Sequence, residues 1–119
     1  MPLQHLQPGE SADVSPLGPL LNGTTSHALF KSRDLEVIRC VMRTGESIPP
    51  HAVAGDSMVQ CIEGRVQLTC TAGVLALSSG QLAYLQRQET HSILCSEDAS
   101  LLRTICLVPN ADNGVKTSS

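Results

Sequence analysis

No stretch of this chain keeps apolar residues at helical spacing for long. It offers instead short β-like runs, broken by turn signals at close intervals. The runs fall near 27–31 (HALFK), 35–42 (LEVIRCVM), 57–62 (SMVQCI), 65–71 (RVQLTCT), 74–77 (VLAL), 81–85 (QLAYL), 91–95 (HSILC) and 99–108 (ASLLRTICLV). Between them stand Arg33-Asp34, Thr44-Gly45, Glu63-Gly64, Ala72-Gly73, Ser79-Gly80, residues 87–90 and Glu97-Asp98. Short strands with regular turns, in a chain of 119 residues, specify a single all-β sandwich or barrel. Two hairpins are expected, at CIEGRVQL and TCTAGVLAL, where a glycine between apolar runs can supply positive φ.

The ends differ from the middle. Residues 1–19 are polar and punctuated by Pro2, Pro8, Pro16 and Pro19, which predicts an extended arm. Residues 20–108 make up the barrel, and 109–119 (PNADNGVKTSS) a flexible polar tail.

Composition closes off several functions. Phe30 and Tyr84 are the only aromatic residues, so the core must be aliphatic and no base-stacking surface can form. The basic residues are scattered and the net charge is −3, which leaves no electrostatic footprint for nucleic acid. No apolar run approaches the length of a membrane span, and the N-terminus has no basic region ahead of an apolar one. A cytoplasmic protein is expected. Cys40, Cys61, Cys70, Cys95 and Cys106 each lie in an apolar segment, as reduced, inert thiols do.

Two frames carry more information. The stretch GESIPPHAVAGDSMVQCIEG runs from Gly45 through five residues to His51, and closes at Gly64. A second frame runs from Gly80 through five residues to Gln86, then to His91 and Cys95. Together they resemble the two motifs of the small single-domain cupins, Gly-x5-His-x-His-x3,4-Glu-x6-Gly and Gly-x5-Pro-x-Gly-x2-His-x3-Asn, over about residues 27–108. The resemblance implies a cupin-type double-stranded β-helix, or jelly-roll barrel. Of the family's metal ligands only His51 and His91 remain. Val53 stands for the second histidine of the first motif and Ser57 for its glutamate. In the second motif Gln86, Gln88 and Cys95 replace the proline, the glycine and the asparagine.

Strand alternation places Val59 and Cys61 on the face of Ser57, and Ile93 and Cys95 on that of His91. The expected pocket lining is therefore His51, Ser57, Val59, Cys61, Tyr84, His91, Ile93 and Cys95. Metal ligation falls to His51 and His91, with Cys61 or Cys95 as a softer third donor for iron, manganese, zinc or nickel. Two imidazoles alone are a poor site, since catalytic zinc takes three protein ligands and non-haem iron commonly two histidines and a carboxylate. A Cys95–His91 nucleophile is disfavoured, because four strand residues separate the pair by roughly 13 Å. Arg39 and Arg103 interrupt apolar strands. One could bind a carboxylate in the pocket, but the favoured reading sets both outward or at an edge, paired with acids such as Glu36.

The expected function is small-molecule binding in the barrel without a complete catalytic metal site. The alternative is a metal-dependent dioxygenase, isomerase or decarboxylase using His51 and His91, as the resemblance implies. The expected partners are a small-molecule ligand and a second copy of the chain in a homodimer, with no nucleic acid and no membrane.

Overall fold

The computed structural model describes residues 5–108. After a 3-10 helix at Gly18–Gly23 come seven strands: β1 (His27–Lys31), β2 (Leu35–Met42), β3 (Ser47–His51), β4 (Ser57–Cys70), β5 (Gly73–Ser78), β6 (Leu82–Leu85) and β7 (His91–Cys106). All pairings are antiparallel. Strands β4 and β7 pair along most of their length, and each bends to serve two layers. One layer runs β1, β2, the second half of β7, the first half of β4, then β6. The other runs β3, the first half of β7, the second half of β4, then β5. The sheet is not closed, but the two layers make a jelly roll.

The bend corrects one of the two expected hairpins. CIEGRVQL does not turn back. β4 continues through it, with register shifts between Cys61 and Val66. Gly64 takes φ 80°, and a Cβ there would sit 2.0 Å from the Asp98 carbonyl oxygen of β7. A glycine with positive φ serves a bulge as well as a turn, so sequence alone could not separate the two. The same bend carries β7 through Glu97-Asp98, merging two expected strands. TCTAGVLAL does form a hairpin, with Cys70 opposite Gly73.

Strand β3 went unpredicted because Pro49 and Pro50 interrupt it. Proline cannot donate to a ladder but is tolerated at an edge. β3 is such an edge: it pairs only with β7, and its register shifts between Ile48 and His51, where the prolines stand.

Alternation along β4 and β7 builds the core. Val59, Cys61, Val66 and Leu68 of β4 face Ile93, Cys95, Ala99 and Leu101 of β7, all buried. Each fully buried leucine or isoleucine contributes about 1.5–3 kcal/mol. Residues 5–17 form no regular element but are tied to the barrel. The Leu6 amide donates to the Leu29 carbonyl at 2.8 Å, and the expected arm–barrel boundary falls within the 3-10 helix, whose Leu21 is buried. The predicted tail, 109–119, lies outside the described residues. Among the described residues no helix is long and apolar enough to cross a membrane.

Candidate functional site

His51 ends β3 and His91 begins β7, and the register sets them opposite one another. Each imidazole is oriented by the same local device. Nδ1 of His51 lies 3.1 Å from the Pro49 carbonyl oxygen, and Nδ1 of His91 lies 3.1 Å from that of Glu89. A carbonyl only accepts, so in both rings Nδ1 carries the proton and Nε2 is left as an acceptor. The ring centroids stand 4.3 Å apart, with planes tilted by 51°.

Into this pair reaches Arg103, from the second half of β7. Its Nη2 lies 3.1 Å from Nε2 of His51. A guanidinium only donates, so His51 accepts. Arg103 is 9% exposed and also contacts the Cys40 thiol. Among the described residues no carboxylate pairs with it. His91 is 2% exposed, and burial, followed by the nearby His51 and Arg103, pushes its pKa below the ordinary 6.5. Its Nε2 is buried with no hydrogen-bond partner among the described residues, and so is the Ser57 hydroxyl, one pleat along β4 from Val59, the residue paired with Arg103.

The expectation is corrected for Arg103, which faces inward; Arg39 lies on the outer face of β2, opposite in parity to the core residues Cys40 and Met42, and is paired with an acid, Glu63 in place of Glu36. Arg103 points at the histidines. Arg39, 4% exposed, lies 3.9 Å from the Glu63 carboxylate and donates to the Ser15 carbonyl and the Ser100 hydroxyl. Arg103 shares its face of β7 with buried Ala99, Leu101 and Ile105, and that inward parity was the available signal; Arg39 is buried because the arm at Asp13 and Ser15 covers its face of β2.

Of the other expected lining residues, Ser57, Val59, Cys61, Ile93 and Cys95 are buried on the inner faces of β4 and β7. Tyr84 is not among them. It is 67% exposed, because on β6 Ala83 and Leu85 take the inward parity and leave Leu82 and Tyr84 outside. Cys61 and Cys95 do not approach the histidines. Their thiols donate to carbonyls near the bend, Cys61 to Glu63 and Gly64, Cys95 to Met42 and Glu97. Burial pushes the pKa of Cys40, Cys61 and Cys95 up, so these thiols stay protonated. All five cysteines are free.

These residues do not fit a resident divalent metal. One of the two imidazole acceptors is already bonded to a fixed cation. The positions where further ligands would stand carry Val53 and Ser57. Among the described residues no group of three His, Cys, Asp or Glu side chains could hold an ion.

No protein-family model and no curated protein matches the sequence. Solved structures do resemble the fold. A conserved protein of unknown function from Streptococcus pyogenes superposes with a TM-score of 0.71 at 19% identity, over 91% of this chain and 98% of its own. A cupin superfamily protein from Desulfitobacterium hafniense gives 0.71 at 16% identity, over 91% and 100%. A salicylate 1,2-dioxygenase from Pseudaminobacter salicylatoxidans gives 0.58 at 17% identity, over 60% of this chain and 21% of the enzyme. At these identities the likeness establishes fold and nothing finer.

Proposed function

We propose that this chain, a cupin-type jelly roll, binds a small molecule at the histidine-bearing end of its barrel and does so without a complete catalytic metal site. The observation that carries this reading is the Arg103–His51 hydrogen bond of 3.1 Å. It puts a fixed positive charge on a metal-ligand position, where a divalent cation would be repelled and its donor already engaged. The unpartnered acceptor of His91 and hydroxyl of Ser57 support binding of something polar there, since buried polar groups left without partners cost about 1–3 kcal/mol each. Thermal-shift screening against a metabolite panel tests the reading. A ligand whose stabilisation disappears in His91→Phe is expected; a panel with no hit would end it.

The second reading, a metal-dependent enzyme, draws on the buried, unpartnered Nε2 of His91. Elemental analysis of protein purified without an affinity tag or chelator separates the two. Less than stoichiometric iron, manganese, zinc and nickel is expected, and one equivalent of any of them would favour the enzyme.

We also propose a homodimer. The outer faces of β5 and β6 carry exposed Val74, Leu82 and Tyr84, apolar surface that suits self-association. Light scattering is expected to return twice the chain mass at micromolar concentration.

A further inference from the structure

The polar groups at the histidine end define the chemistry of a matching ligand. Arg103 is a buried cation without an acid partner among the described residues, and its hydrogen bond there goes to the His51 imidazole, beside the Cys40 thiol. Taking a charge out of water is costly unless an opposite charge and hydrogen bonds compensate it. The guanidinium presents a fork of N–H donors matched to the two oxygens of a carboxylate, and the His51 contact uses only one of its nitrogens. His91 asks for the opposite. Its Nδ1 proton is committed to the Glu89 carbonyl, so its buried Nε2 can only accept, and what it lacks is a donor. The Ser57 hydroxyl, also without a partner, can give a proton to an anion.

We infer that the site is built for a small hydroxycarboxylate, its carboxylate on the Arg103 guanidinium and the Ser57 hydroxyl, and its own hydroxyl donating to Nε2 of His91. This deepens the small-molecule reading and rests on it. One ligand then pairs three groups that lack such partners among the described residues. A metal ion would leave the Arg103 charge without a counter-charge and repel it, and a neutral apolar molecule would satisfy nothing polar. Arg103 supplies from the chain itself the positive charge that a bound cation would otherwise offer to an anionic ligand.

Three probes of similar size separate the terms: lactate, with both groups; propionate, without the hydroxyl; and lactamide, without the charge. Affinity is measured by calorimetry or by ligand-induced NMR shifts. Lactate is expected to bind best. Arg103→Gln is expected to lower lactate affinity about tenfold or more, the scale of a lost charge-assisted pair, and to erase the preference over lactamide. Arg103→Lys should keep part of it. His91→Phe should erase the preference for lactate over propionate while keeping that over lactamide. Circular dichroism and melting confirm that each variant is folded. Lactamide binding as tightly as lactate, or Arg103→Gln binding lactate unchanged, overturns the hydroxycarboxylate assignment and leaves the small-molecule reading standing. Binding of none of the three overturns the assignment too, and the broader reading falls only if the metabolite panel also yields nothing.

Discussion

Two buried arginines divide the molecule into two regions of opposite character. Arg39 sits toward the bend of the long strands. There Glu63 accepts from the Ser100 hydroxyl at 2.5 Å and from the Leu17 and Gly18 amides at 2.7 and 3.0 Å, while Arg39 reaches Ser15, Ser100 and the same carboxylate. Burial pushes the Glu63 pKa up, but the Ser100 hydroxyl, the two amides and Arg39 together hold it below the ordinary carboxylate value. Only Nε of Arg39 is left without a partner. Arg103 sits at the other end against His51, and among the described residues it has no carboxylate partner and Ser57 and His91 each keep a buried polar atom without a hydrogen bond. A cation paired within the chain ties the arm and both long strands together. A cation left without an acid costs stability, and it is the feature on which the proposed ligand site rests.

The comparison can be broken from the bend first. Gly64→Ala would force a Cβ into β7 backbone at a φ that side chains rarely adopt, and is expected to cost about 4 kcal/mol in urea unfolding. A loss under about 1 kcal/mol would mean that the bend is soft. Glu63→Gln should cost about 3 kcal/mol, because it strands the Arg39 charge. Arg103→Met should change stability by less than about 1 kcal/mol in either direction, since it removes a charge that no acid among the described residues compensates. If Arg103→Met were as damaging as Glu63→Gln, the two arginines would be alike and the contrast would fail. The same comparison predicts that Arg103→Ala, which frees Nε2 of His51 and removes the repelling charge, binds nickel more tightly than wild type in calorimetry.

The smallest expected effect is on pH dependence. The native pKa of His91 lies below 6.5, so the unfolded chain binds the proton more readily. Stability from this group is complete above about pH 6.5, declines as pH falls from there toward the native value, and levels off below it. Glu63 acts in a separate window, below its ordinary 4.5, where protonation removes its stabilising bonds. Urea unfolding of His91→Phe should lack the upper slope and keep the lower one.

Much of the fold was legible in residue order. Period-two alternation in SMVQCI and HSILC gave the inward face of β4 and β7, and Gly45, His51, Gly80 and His91 kept the spacing on which the resemblance to the cupin motifs rests, which implied a jelly roll. Legibility failed where one residue type serves two geometries. Gly64 reads as a turn or as a bulge, and Pro49-Pro50 as a loop or as an edge strand. It failed for Tyr84 because β6 is only four residues long, too short for parity to be anchored.

What this sequence determined by itself is the scaffold: local alternation and turn chemistry act between near neighbours and need no distant partner. Which charges meet was decided only by the tertiary structure. Arg103 and His51 lie 52 residues apart, Arg39 and Glu63 on different strands, and no local rule says which buried arginine finds a carboxylate. The pairing follows from how far β4 and β7 bend, because that bend carries Glu63 to Arg39 and leaves Arg103 facing two imidazoles.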